Sequence, residues 1–338
     1  MPAVTRTADP IGAPAAPAAV TAGDLREPPL VVIDVERAAG RYLELRAAFP
    51  WVDVHYDVSA LSHPALLDAI AAASGAFEVA TPASVNAVIA RDGRPRFLHT
   101  GLLAHRSEVD AAYAAGVRRF VVDAQNDLDA FAGAPDDVRV LLRLRPLADP
   151  RSAHRASRGF APDHIVRAVR AASDRDVCVG GLSLQPPAHS SPSGYVAEIA
   201  HAAAVAADVR AAVGLRFETL DLGDGFPGRA ATRPAEQSEL ARAVRAIVAP
   251  ATSHVSIIAS ASRAVTAGCL SVVDGASARE ADPAYASECI DAGADVRVLT
   301  GALRSGLRER LSFFRADTER GHRVLRPRRA RATWSPAG

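Results

Sequence analysis

"VHYDVSALSHPALLDAIAAASGAFEVATPASV" (54–85) holds a short β-branched and aromatic run, then a proline-led, alanine-rich stretch with helical spacing, then a second short run, "FEVA" (77–80). A strand, a helix and a strand in that order form a unit whose two strands run parallel.

The alternation extends in both directions. A first strand is expected near 30–34 and a helix near 35–48, followed by strands near 52–58, 77–80, 96–99, 119–122, 138–145, 177–184, 219–222 and 255–259. Intervening stretches such as "RSEVDAAYAAG" and "SGYVAEIAHAAAVAADVRAAVG" carry helical spacing. The economical fold is α/β, an eight-stranded TIM-type barrel with its site at the C-terminal ends of the strands. Residues 1–28, rich in Ala and Pro, read as a flexible leader, 29–275 as the barrel domain, and 276–338 as an Arg-rich extension, partly helical, with a disordered tail. Ten arginines against three acidic residues lie between 304 and 331. Without interleaved aromatics or a nucleic-acid module, that end reads as a solvated helix and frayed tail, and no nucleic-acid partner is expected.

With 338 residues, 49% apolar composition and a net charge of +1, the chain can bury a large core. It shows no membrane-spanning run and no secretory signal, so a soluble, cytoplasmic protein is expected. Cys178, Cys269 and Cys289 lack the spacing of a zinc site or disulfide framework and read as inert thiols. All 39 basic residues are arginine. With no lysine, no side-chain amine can form an imine with an aldehyde cofactor.

Several motifs, in order, resemble the ornithine/diaminopimelate/arginine decarboxylase family, fold-type III enzymes that carry pyridoxal phosphate (PLP) on an alanine-racemase-like barrel. The resemblance spans roughly 30 to 273. Residues 54–85 follow the family's run from its lysine strand to F-D-V-A-S-P-A-E-V; "AAGVRRFVVDAQNDLDAF" (114–131) looks like the fourth strand and helix; "VGGLSL" (179–184) resembles G-L-S-F-H-V-G-S. "LDLGDGFPG" (220–228) is similar to L-N-L-G-G-G-F-P, whose Phe-Pro favours the ornithine branch, and "IIASASRAVTAG" (257–268) to I-I-A-E-P-G-R-x-x-V.

The departures fall where the resemblance places the chemistry. Ser59 stands at the Schiff-base lysine, Gln185 at the histidine that stacks on the ring, and Ser260 at the acid that protonates the ring nitrogen. Asp224 interrupts the phosphate-cradling glycines, leaving Gly223 and Gly225; Ser262 replaces the glycine before the retained Arg263. Glu78 replaces an aspartate, Gly159 a basic residue of S-R-K-F-G, "QPPA" (185–188) the H-V-G-S turn and "TGLLA" (100–104) the G-N-P-x-K turn. The family's second domain, with its C-D-x-x-D segment, is expected to be missing or severely truncated, and Cys289 is no surrogate.

Two functions fit this pattern. In one, the chain is a pseudoenzyme that binds a protein partner, as a homo- or heterodimer or as a regulator, in polyamine or amino-acid metabolism. In the other, the barrel mouth is refitted for a small polar molecule, with Ser59, Glu78, His99, Arg145, Gln185, His189, Asp224, Ser260 and Arg263 as candidates. Neither requires PLP. Asp53 and His55 share a strand face near Glu78, but their spacing does not say whether that face is inward, and no metal is expected.

Overall fold

The computed structural model describes residues 30–147, 158–186, 191–224, 234–249, 255–274 and 277–299. The expected leader at 1–28, His189, Gly225 and the basic tail lie outside the described residues.

Eight strands, β2 (Asp53–Asp57), β3 (Ala76–Val79), β4 (Arg96–His99), β5 (Arg119–Val122), β6 (Arg139–Leu144), β7 (Val179–Leu184), β8 (Thr219–Asp221) and β9 (Ser256–Ser260), pair in parallel and in chain order. The circle closes where β9 pairs with β2. Around it lie α1 (Val35–Ala48), α2 (Pro64–Ala72), α3 (Pro82–Ile89), α4 (Arg106–Ala114), α5 (Pro162–Ser173), α6 (Pro192–Val213) and α7 (Pro234–Val248). Local chemistry sets the ends of these helices. Pro64 and Pro82 occupy first-turn positions where no amide is needed, Thr81 and Ser84 cap α3 reciprocally, and Gly214 ends α6 at φ 72. The crossover after β5, expected to be a helix, is a 3-10 turn over Gln125–Phe131. Asp127 takes both the Asp123 and the Ala124 amides, and Gly133 and Pro135 follow, so the turn has no room to lengthen.

Strand alternation sorts the side chains. Val54, Tyr56, Phe77, Val79, Phe120, Leu142 and Leu182 face outward into the main core shared with the helices. Inside the barrel, Leu98, Val121, Leu141 and Ile258 form a separate apolar layer. The orientation of β2 is thereby resolved: Asp53, His55 and Asp57 point inward, each opposite an inward residue of β3 or β9. Tyr42 of α1 ties β2 to β3, donating to Val54 O at 2.7 Å and accepting the Ala76 amide at 3.2 Å.

β1 (Leu30–Asp34) lies outside the barrel, in a four-stranded sheet ordered β11–β10–β1–β12 with β10 (Leu270–Asp274), β11 (Ser277–Glu280) and β12 (Asp295–Leu299). The boundary expected at 275 falls between β10 and β11, which pair antiparallel. Apolar β1 needs partners on both edges, and β10 and β12 provide them. Between barrel and sheet lie α8 (Ser262–Thr266) and α9 (Pro283–Asp291), the latter anchored to the mouth by Ser287 Oγ donating to Ala60 O. No helix among the described residues is long and apolar enough to cross a membrane.

Candidate active site at the barrel mouth

Toward the C-terminal strand ends, the interior becomes polar. Glu78 of β3 is at its centre: the Thr100 hydroxyl donates to Oε1 at 2.8 Å and the Ser260 hydroxyl donates to Oε2. Burial, reinforced by nearby Asp57 and Asp221, pushes the Glu78 carboxyl up to about 8, so it is mostly protonated at neutral pH. Hydroxyl partners suit either state, because each can donate or accept.

Across the barrel Asp221 is buried and accepts from Ser183 Oγ at 2.7 Å and from the Gly223 amide at 2.9 Å. Burial raises its pKa too, and these two bonds pull against the shift. Buried Arg143 supplies cationic charge, its Nε donating to Asp123 at 2.5 Å and its Nη1 to Gln185 Oε1 at 3.2 Å. At the rim, Asp224 Oδ2 accepts from Ser262 Oγ and from Arg263 Nε, both at 3.2 Å, while Arg263 Nη2 donates to the Asp224 carbonyl at 2.9 Å. Its Oδ1 is buried without a partner, and burial raises the group despite Arg263 beside it.

Toward the N-terminal end of β2 the same acid chemistry turns out differently. Asp53 accepts from Arg96 Nη1 at 2.6 Å and faces His55 Nε2 at 3.3 Å. Burial pushes Asp53 up, but His55 and Arg96 outweigh it and hold the carboxyl below its ordinary value. Fully buried His55 also places Nδ1 3.4 Å from Phe77 O. Among the described residues no group of three or more His, Cys, Asp or Glu is arranged to hold a metal ion.

The structure therefore brings together Glu78 and Ser260 in one cluster, Gln185 with Arg143 in a second, and Asp224 with Arg263 in a third. It leaves others apart. Ser59 is exposed in the turn after β2, its amide donating to Asp57 at 2.8 Å. His99 is not at the mouth: it ends β4 facing outward, stacked on Phe120 at 5.7 Å, and burial pushes it down to about 4. Arg145 is exposed beyond β6, and Cys178 is exposed whereas Cys269 and Cys289 are buried. Gly223, at φ 66, sits where any Cβ would collide with Leu184 O and Pro186 Cδ, so glycine is required by the approach of two strand ends. Asp57, Thr100, Asp123, Arg143, Ser183 and Asp221 were not singled out from the sequence. Their signal is faint: a charged or hydroxyl residue at an inward position of an apolar strand, such as the first arginine of "LLRLR" (141–145).

A family model described as pyridoxal-dependent decarboxylase, pyridoxal binding domain, matches residues 35–267. An ornithine decarboxylase from Panagrellus redivivus is 25% identical over 204 residues, covering 59% of this chain and 46% of the relative. One from Leishmania donovani is 23% identical over 231 residues, covering 66% of this chain and 32% of the relative. The chain thus spans less than half the length of these curated relatives. Among solved structures, a lysine/ornithine decarboxylase from Vibrio vulnificus complexed with putrescine superimposes with a TM-score of 0.63 at 25% identity, over 72% of this chain and 66% of that one. The arginine decarboxylase of Paramecium bursaria Chlorella virus shares the fold, with a TM-score of 0.64 at 20% identity over 74% of this chain and 68% of that one. By its barrel, by the strand-end motifs it keeps and by the match over residues 35–267, the chain belongs to the pyridoxal-dependent decarboxylase family, through the pyridoxal-binding domain.

Proposed function

We propose that this protein is a catalytically degenerate member of its family that acts by binding, as a partner or regulator of another polypeptide, and does not decarboxylate amino acids through PLP. The observation that carries the reading is the internal pairing of the mouth. The Ser260 hydroxyl is spent on Glu78, the Gly223 amide on Asp221, and the Arg263 guanidinium on Asp224. By the resemblance to the family, those groups stand where a cofactor's ring nitrogen and phosphate would need partners.

The residues present do not fit PLP. No lysine exists in the 338 residues, and the residue at the corresponding position, Ser59, has no amine. A phosphate dianion at the glycine turn would face the Asp224 carboxylate and find the first amide of that turn already bonded. The protein partner, the cytoplasmic location and the absence of nucleic acid among its ligands are parts of the same proposal.

One observation favours a second reading, a mouth refitted for a small polar molecule: Asp224 Oδ1 is buried and unpaired, which costs free energy that a donor on a ligand would recover. Native mass spectrometry of the protein isolated gently from its own cells, with PLP added to a parallel sample, separates the two. A stable complex with another polypeptide and no small adduct supports the binding role. A stoichiometric small molecule supports the refitted mouth, and bound PLP overturns both.

A further inference from the structure

Beside the mouth, and sharing with it Asp123, lies a cavity of about 200 Å³ lined by Asp123, Arg145, Gly159, Phe160, His164 and Arg167, among others. Its walls come from the ends of β5 and β6 and the start of α5. The backbone that shapes it is specific. Gly159 adopts φ 102, and a Cβ there would sit 2.8 Å from Arg143 O, so only glycine is tolerated without strain. That turn lets Phe160 pair alongside Leu144, its amide donating to Arg143 O at 2.8 Å and its carbonyl accepting the Arg145 amide at 2.9 Å. The Gly159 carbonyl in turn accepts from Arg145 Nη2 at 3.2 Å, which steers the guanidinium over the cavity. The glycine standing where the family has a basic residue thus has a structural consequence: it places the arginine two residues beyond Arg143 at this opening.

The charge balance is cationic. The one carboxylate in the lining, Asp123, is engaged by Arg143 at 2.5 Å, with Arg158 3.9 Å from its other oxygen. Among the described residues, neither Arg145 nor Arg167 has a carboxylate partner. His164 faces only the exposed Asp163, at 3.7 Å.

We propose that this cavity is an oxyanion site that takes a phosphate-type group, gripped by the guanidinium groups of Arg145 and Arg167 with His164 as a third donor. Two planar forks offer more donors than the two oxygens of one carboxylate can accept, and a tetrahedral phosphate with three terminal oxygens matches them better. The site is independent of whether the mouth holds any cofactor. The group could arrive as free phosphate or as the end of a phosphorylated metabolite.

The test is a phosphorus NMR titration of the full chain with inorganic phosphate and, separately, with glycerol phosphate, at fixed ionic strength and with acetate as competitor. Saturable binding is expected, weakened about tenfold or more when Arg145→Gln and Arg167→Gln are combined. It should be unchanged by Arg210→Gln with Arg216→Gln, which removes two arginines of the crevice between α6 and α7. These side chains are exposed, so both variants should fold. Tighter binding of the ester identifies a phosphorylated metabolite as the source, and equal binding identifies free phosphate. Lack of saturation, an equal loss in the control variant, or displacement of phosphate by equimolar acetate would overturn the site.

Discussion

The acids at the two ends of the barrel interior sit among the same kinds of side chain and are shifted in opposite directions. Toward the C-terminal strand ends, burial raises Glu78 and Asp221 above their ordinary values, and nearby Asp57 and Asp221 add to the shift of Glu78. Toward the N-terminal end of β2, His55 and Arg96 hold Asp53 in the charged form. Two things differ: Glu78 and Asp221 are the more deeply buried, and Asp53 alone has both an imidazole and a guanidinium directly on its carboxyl. The mouth meets its acids with hydroxyl and amide donors, and among the described residues there Asp123 and Asp224 are the ones in contact with a guanidinium. A mouth that satisfies itself has few groups left to offer a cofactor.

The harshest way to break this contrast is to remove Arg143, the one buried guanidinium among the described residues of the mouth. Arg143→Met should cost about 3 kcal/mol, because breaking a buried pair strands the remaining charge and Asp123 keeps only some contact with water. The midpoint of urea unfolding reads the loss, and an unchanged midpoint would mean that the pair contributes nothing.

A sharper test uses pH. The Glu78 pKa is raised in the folded state, from 4.5 to about 8, so its contribution is fully present below 4.5 and is lost as pH rises to 8. Glu78→Gln should flatten the decline in Tm across that window and leave the variant several degrees more stable than the parent at pH 9. Asp53, at the N-terminal end of β2, should answer with the opposite sign. Asp53, depressed below 3.8, contributes stability that is present above that value and lost as pH falls through its folded pKa. Asp53→Asn should therefore cost about 1–2 kcal/mol at pH 7 and almost nothing at pH 2, measured by denaturant unfolding at both.

The Ser260→Ala change is smaller. It removes one hydroxyl from Glu78, should cost about 1 kcal/mol, and should move the Glu78 titration upward, since that bond favours the charged form. A carboxyl-carbon NMR titration of both proteins reads the shift, and a downward movement would contradict the pairing.

The outward half of each strand was legible from local pattern, whereas of the inward half Glu78 and Ser260 were named through the resemblance and Asp57, Arg143, Ser183 and Asp221 were not. "VHYDV" and "FEVA" announce strands because Val54, Tyr56, Phe77 and Val79 supply the apolar alternation that packs against helices, so the barrel and its eight strands follow from local pattern. The inward residues pair across strands. Asp57 lies opposite Glu78, and His55 opposite Ser260, only because the barrel closes in one register. No local spacing announces a partner 182 residues away, as Ser260 is from Glu78. His99 was misplaced for the same reason: strand-end position suggests the mouth, whereas its parity turns it outward beside Phe120. The edge of the small sheet was missed because β11 and β12 carry charged residues, which blur the strand pattern.

The central claim, that the mouth is closed to PLP by its own pairing as well as by the lost amine, is tested most directly by restoring the amine. Ser59→Lys lies in an exposed turn and should change stability by less than about 0.5 kcal/mol. The parent has no lysine, so the variant carries a single side-chain amine. After incubation with PLP and borohydride reduction, peptide mass mapping is predicted to find no more label at position 59 than at the N-terminal amine. Stoichiometric label at position 59, with the yellow imine band before reduction, would show that the site still accepts the cofactor and that only the lysine was lost.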